Sequence, residues 1–235
     1  MSILGITLDY GPFGFIDDYD PGFICNHSDH NGRYAFNQQP SIGLWNLSCL
    51  AQALLPLAEK DDLKSALDRY TPLCEGWYME LMRAKFGLAE TKEEDASLTQ
   101  DLLALMHLHH VDYTNCFRAL GLFQAGTDSL NEPLRDFFLD RESFDQWARR
   151  YKERLCEEGS RDDDRLVRMN RVNPKYVLRN YLAQTAIEKA QQKDFSEIDR
   201  LLALLHNPYS DQPGMDIYAA PPPNWGKHLS VSCSS

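Results

Sequence analysis

The chain has 235 residues, 43% of them hydrophobic and 25% charged, with a formal net charge of −11. That length can bury a substantial core in one large domain or two small ones, while the acidic balance argues against a nucleic-acid partner, whose phosphates call for a basic stripe. No apolar run approaches the roughly 20 residues of a membrane span, Met1 to Gly5 carries no basic region of a signal peptide, and six cysteines without a Cys-x-x-Cys pair are too sparse for a disulfide scaffold; a cytoplasmic protein with no membrane partner is expected.

In chain order, residues 2–8 read as a strand, or a very tight hairpin broken at Gly5, ending in Asp9-Tyr10-Gly11. Residues 9–42 are rich in Gly, Pro, Asp, Asn and aromatics with no sustained period, and an irregular stretch of that length inside a domain is usually functional. From Leu44 helical spacing takes over through Leu47, Leu50, Ala51, Leu54 and Leu55, until Pro56 disturbs it. Short helices follow over Asp61–Arg69 and Leu73–Phe86, the latter ending at Gly87. Asp95 is placed as the N-cap of a helix to His110 with Leu98, Leu102, Leu105 and Met106 on one face. Asp112–Leu120 ends at Gly121, and Glu142–Cys156 carries Phe144, Trp147, Tyr151 and Leu155 on one side. Asp162–Arg171 precedes Pro174, which suits the first turn of a long helix to Gln191. Ser196–His206 is the last helix, and the Pro- and Gly-rich tail from Asn207 cannot build a core alone. Cys49, Cys74, Cys116 and Cys156 fall in the helical patterns and are expected to be small buried hydrophobes.

Three groups of residues invite a chemical reading. Asp9-Tyr10-Gly11 at a strand end has the form in which kinase-like phosphotransfer enzymes present a magnesium-binding carboxylate, although on three letters alone an ordinary turn is the simpler reading. His27-x-x-His30 with Asp29, and His107 with His109 and His110, superficially suggest zinc. They lack the three or four placed ligands that zinc requires, and loop and helix-surface histidines are expected instead. The cluster Arg161, Arg165, Arg168, Arg171, Lys175 and Arg179 is expected to pair with Asp162, Asp163 and Asp164 along a helix face; a phosphate or acidic-substrate patch is the alternative. No Gly-x-Ser-x-Gly elbow, Walker A loop or Gly-x-Gly-x-x-Gly fingerprint is present.

The surroundings of Asp9 decide its reading. Pro12-Phe13-Gly14-Phe15-Ile16-Asp17-Asp18 leads to Pro21-Gly22-Phe23-Ile24-Cys25-Asn26-His27-Ser28-Asp29, then Gly32-Arg33-Tyr34, Gln39-Pro40 and Leu44-Trp45-Asn46-Leu47. Later blocks are Val172-Asn173-Pro174-Lys175-Tyr176-Val177-Leu178-Arg179-Asn180-Tyr181, Pro213-Gly214-Met215, Pro222-Pro223-Asn224-Trp225-Gly226-Lys227 and the terminal Ser232-Cys233-Ser234-Ser235. Together they resemble, from end to end, the selenoprotein O family, the YdiU proteins, which are kinase-fold protein adenylyltransferases.

The resemblance implies a mainly α fold with a small N-terminal β element: the C-terminal lobe of a protein-kinase-like fold without its N-terminal lobe. It is taken as a single lobe, 1–235, made of the metal-binding strand and activation-type segment at 1–42, a helical body at 43–206 and an irregular tail at 207–235. It also implies transfer of AMP from ATP to Ser, Thr or Tyr hydroxyls of proteins, the hydroxyl attacking the α-phosphate and pyrophosphate leaving. Asp9 is implied as the metal ligand and, through Mg²⁺ with Mn²⁺ as the alternative ion, as the ATP-binding residue. No catalytic base is expected within the chain. The base Asp, a second metal-ligating Asn, the Lys and the glycine-rich loop are expected upstream of Met1, on a separately encoded N-terminal half or a longer reading frame. Arg179-Asn180-Tyr181 is expected to serve packing and hydrogen bonding. Cys233 stands where the resemblance puts the selenocysteine of animal members, and a reversible disulfide with Cys25 is expected, two independent thiols being the alternative. Two functions stay open: part of a magnesium-dependent adenylyltransferase, inactive as an isolated chain, or a non-catalytic truncated lobe acting as a binding or scaffold fragment.

Overall fold

Helix-forming runs punctuated by Pro and Gly make the regular structure of the described residues helical, with irregular segments before the first helix and after the last. A computed structural model describes residues 2, 4–6, 10–127, 129 and 131–231. The described residues divide into two units. One lies within Met1–Phe13, Pro21–Glu80 and Ser230–Ser235, and the other is made of Gly14–Asp20 and Leu81–Leu229.

In the first unit, α1 spans Gln39–Leu54 and begins five residues before the apolar period does, because Pro40 sits in its opening turn, where a missing N–H costs nothing. Next come α2 (Lys60–Asp68) and α3 (Tyr70–Phe86), whose residues to Glu80 belong to this unit. Gly43 in α1 is faced closely by Tyr70: a Cβ there would lie 2.2 Å from the phenol oxygen. Ala35 is the one buried residue among the described residues of this unit. Large apolar side chains stay in the open, Leu57 being 82% and Trp77 61% exposed.

The second unit holds the cores. After α3, the chain turns at Gly87 (φ +70°), with Leu88 N–H donating to the Arg83 carbonyl and Gly87 N–H to that of Ala84, the hydrogen-bond pattern of a glycine-ended helix. A Cβ at Gly87 would also lie 2.5 Å from Cγ of Arg165, so close packing requires glycine too. There follow α4 (Asp95–Leu108), α5 (Tyr113–Leu120), the single turn α6 (Glu132–Arg135) and α7 (Arg141–Glu157). Their apolar faces meet in one cluster containing Phe86, Leu102, Met106, Phe117, Leu120, Phe144, Trp147, Tyr151 and Leu155. Each such side chain taken from water contributes about 1.5–3 kcal/mol. Trp147 stacks on Tyr151 with centroids 5.1 Å apart, and each satisfies its polar atom on a carbonyl, Leu98 at 2.9 Å and Phe86 at 2.6 Å. Helices α8 (Asp162–Asn170), α9 (Asn180–Gln191) and α10 (Ser196–Leu205) complete the body. A second cluster joins Tyr176, Leu182, Ala186, Leu201 and Leu204 to Tyr218 of the tail.

Several expectations are corrected. Asp95 is the first residue of α4 rather than its N-cap. Its buried carboxylate accepts from Lys92 N–H (3.0 Å) and Arg154 Nε (2.8 Å), a use that outcompetes capping. Pro174 starts no helix, because Lys175 and Tyr176 donate their amides to the Pro208 carbonyl (2.8 and 3.1 Å); α9 begins only at Asn180. Of the four helical cysteines only Cys116 is buried; Cys49 and Cys156 are exposed and Cys74 half-buried. Among the described residues there is no strand, only an isolated antiparallel bridge between Asp18 and Asp112. Of the expected strand at 2–8, residues 2 and 4–6 are described and form no strand, while 3, 7 and 8 lie outside the described residues; at Gly5 (φ +68°) the chain turns, its N–H donating to the Ser2 carbonyl.

Candidate functional site

The segment Gly14–Asp20 is held by backbone, side chain and close approach at once. Tyr113 N–H donates to the Asp17 carbonyl (2.8 Å) and Tyr19 N–H to the Val111 carbonyl (2.9 Å). Gly14 lies so near Asn180 that a Cβ would sit 2.7 Å from its Oδ1. The side chain of Asp112 caps α5, accepting from Asn115 N–H at 2.9 Å, and also takes Arg179 in a two-pronged pair, Nη1 to Oδ2 at 2.7 Å and Nη2 to Oδ1 at 3.1 Å. Arg179 Nη1 donates to Asp17 as well, and Lys227 Nζ reaches Asp18 at 3.3 Å. Arg179 is 1% exposed.

Burial pushes the Asp17 carboxyl above its ordinary value, against the opposing hydrogen bond and charge of Arg179. The same burial works to lower Arg179, but the hydrogen bonds and charges of Asp112 and Asp17 outweigh it and hold the guanidinium firmly protonated. Sequence reasoning missed this cluster. Its one visible signal is the acidic pair Asp17-Asp18 directly after the apolar Phe15-Ile16.

In the first unit, the loop carrying Cys25 is framed by Phe36 N–H donating to the Phe23 carbonyl and Asn37 N–H to that of Pro21, both 2.9 Å. Asp29 closes a turn by accepting from the amides of Arg33 (3.0 Å) and Tyr34 (2.7 Å), with Gly32 at φ +62° inside it. The Arg33 guanidinium lies over the Trp45 ring, 4.3 Å from its centroid. Cys25 is half-buried, and two residues on, His27 N–H donates to the Val231 carbonyl at 2.7 Å, which ties the last described residue of the tail to this loop. Asp9 and Cys233 themselves lie outside the described residues.

Among the described residues the histidines lie apart in separate contacts. The rings of His27 and His30 meet edge to face at 6.3 Å. His107 Nδ1 lies 3.3 Å from the Tyr19 carbonyl, His109 packs on Phe138, and His110 adopts φ +51° where α4 ends. Among the described residues no three His, Cys, Asp or Glu converge as metal ligands. The basic cluster is dispersed rather than presented as a patch. Arg161 and Arg165 do pair with Asp164 and Asp162, Arg168 donates to the Gly87 carbonyl, Lys175 pairs with Asp211 and Asp216, and Arg179 reaches Asp17 and Asp112.

Residues 1–206 match the sequence profile of a family described as "Protein adenylyltransferase SelO". The whole chain is 58% identical over 235 residues to a Myxococcus xanthus (strain DK1622) protein named "Protein nucleotidyltransferase YdiU", covering 48% of that protein. It is 56% identical over 241 residues to a protein of the same name in Thioalkalivibrio sulfidiphilus (strain HL-EbGR7), covering 49%, and 51% identical over 235 residues to one in Pseudomonas aeruginosa (strain LESB58), covering 48%. The chain spans about half the length of the curated relatives it matches.

Proposed function

The chain belongs to the protein adenylyltransferase SelO family, and we propose that it is the C-terminal, kinase-like lobe of a cytoplasmic enzyme that transfers AMP from ATP to Ser, Thr or Tyr hydroxyls of proteins. The observation that carries this reading is the match to named nucleotidyltransferases across the entire chain. Asp9 is assigned as this chain's ligand for Mg²⁺, with Mn²⁺ as the alternative ion. A hard carboxylate suits such an ion, which takes one or two protein carboxylates and leaves its other positions to phosphates and water. Bound there, the ion would neutralise charge on the nucleotide phosphates. This chain's remaining contribution is to orient Asp9 and to present the activation-type segment to an acceptor protein. The base, the second metal ligand and the phosphate-binding Lys are assigned to the half of the relatives' length that the chain does not span.

Two observations support activity only in combination with that half. The relatives are about twice as long, and Gln39–Glu80 includes no buried residue while exposing Trp45, Leu73 and Trp77. Large apolar side chains left exposed on helices are surfaces that a partner can cover. Incubation of the chain with α-labelled ATP, Mg²⁺ or Mn²⁺ and an acceptor protein should give no transfer. The chain joined as one polypeptide to the remaining half of the Myxococcus xanthus relative should label the acceptor. Labelling by the isolated chain would overturn the division of roles, and an inert joined protein would favour a non-catalytic binding or scaffold fragment.

We assign Cys25 and Cys233 to a reversible disulfide between the loop and the tail. The His27–Val231 hydrogen bond supports it, since it seats the tail two residues from each cysteine.

A further inference from the structure

Burying an arginine side chain is costly, and a buried ion pair contributes less stability than well-packed apolar groups of the same size. Arg179 is nevertheless buried, with three hydrogen bonds to two aspartates and its Nε unpartnered. In some proteins such clusters serve specificity of register rather than stability. The segment Gly14–Asp20 needs that specificity, because its backbone pairing is a single bridge with one hydrogen bond on either side. A slip of one residue would turn Asp17 to the opposite face and replace it with a neighbour. Only with the observed register can one guanidinium reach Asp17 and Asp112 together.

We infer that Arg179, seated on Asp112, is a positioning residue that locks Gly14–Asp20 in one register on the helical body. That lock fixes the point from which the chain runs back eight residues to Asp9 and forward eight residues from Asp17 to Cys25. Gly14 against Asn180 sets one end of the locked segment, and Lys227 on Asp18 adds a second charged tie. The consequence for nucleotide binding rests on the adenylyltransferase reading above; the lock itself does not.

Amide hydrogen exchange on the 235-residue chain tests the lock. In Arg179→Met and in the milder Asp17→Asn, the amides of Tyr19 and Tyr113 should exchange at least tenfold faster while those of α7 keep their rates, and Arg179→Lys should restore part of the protection. Unchanged exchange at Tyr19 and Tyr113 would overturn the lock. So would an equal rise there and in α7, which is what a general packing role would give. In the joined protein, Asp17→Asn should raise KM for the metal–nucleotide complex several-fold, and an unaltered KM and kcat would overturn the positioning role. If the joined wild-type protein transfers nothing, the adenylyltransferase reading fails, and the exchange rates still decide the lock.

Discussion

The backbone amide of His27 donates to the carbonyl of Val231 at 2.7 Å, joining the loop that follows Asp20 to the far end of the chain. This bond makes the Cys25–Cys233 disulfide testable. Under non-reducing conditions, oxidised protein should give a cross-linked peptide containing both cysteines, and reduction should release it. The closed loop of roughly 200 residues would stabilise the oxidised form by up to about 5 kcal/mol from chain entropy. Alkylation of both thiols in oxidised protein, with no cross-linked peptide, would contradict it.

Gly14→Ala should destabilise the chain by about 1 kcal/mol, the low end for overpacking, because the added methyl must displace the half-buried Asn180 amide. In an Asn180→Ala background the same substitution should cost little, and the difference is the coupling between the two sites. Urea unfolding of the four proteins measures it. An equal cost in both backgrounds would mean that Gly14 serves something other than this contact.

Lys85 carries a pH dependence. Its ammonium lies over the Phe117 and Tyr113 rings, 4.5 and 5.2 Å from their centroids, beside the buried Cys116 thiol, and burial lowers its pKa from 10.5 to about 8. The unfolded chain therefore holds a proton between about pH 8 and 10.5 that the folded chain has released, so stability rises with pH across that window. Lys85→Met should stabilise the protein at pH 7, by an amount on the order of 3 kcal/mol at most, and the gain should shrink towards pH 10. A gain that is independent of pH, or a loss at pH 7, would show that the rings offset the desolvation.

The uncovered side chains of α1–α3 should bind an apolar dye such as ANS in the isolated chain. Covalent joining to the remaining half of a relative should abolish most of that signal. Equal dye binding in both would mean that these helices are not where the two halves meet.

Where local chemistry decides, the sequence was legible. Phe144, Trp147, Tyr151 and Leu155 lie on one helical face and are all buried, and Asp112 and Gly121 bound α5 as their residue types suggest. It was illegible where distant partners compete for the same groups. The amides after Pro174 go to Pro208 rather than into a helix, and Asp95 goes to Arg154 rather than to a cap. The Asp17–Arg179–Asp112 cluster joins three places far apart in the chain, and no spacing rule reaches across them. Cys49 and Cys156 follow helical spacing yet face solvent, because the period of a pattern does not say which of its edges is covered.

Position 9 carries the account's central claim. In the chain joined to the remaining half of the Myxococcus xanthus relative, transfer of label from α-labelled ATP to an acceptor protein should be measured with Asp and with Ala at position 9. If Asp9 holds the ion that neutralises the phosphates, Asp9→Ala should reduce labelling at least a hundredfold, with unchanged thermal stability. Labelling at the unsubstituted rate with Ala at position 9 would contradict the assignment of Asp9 as the metal ligand.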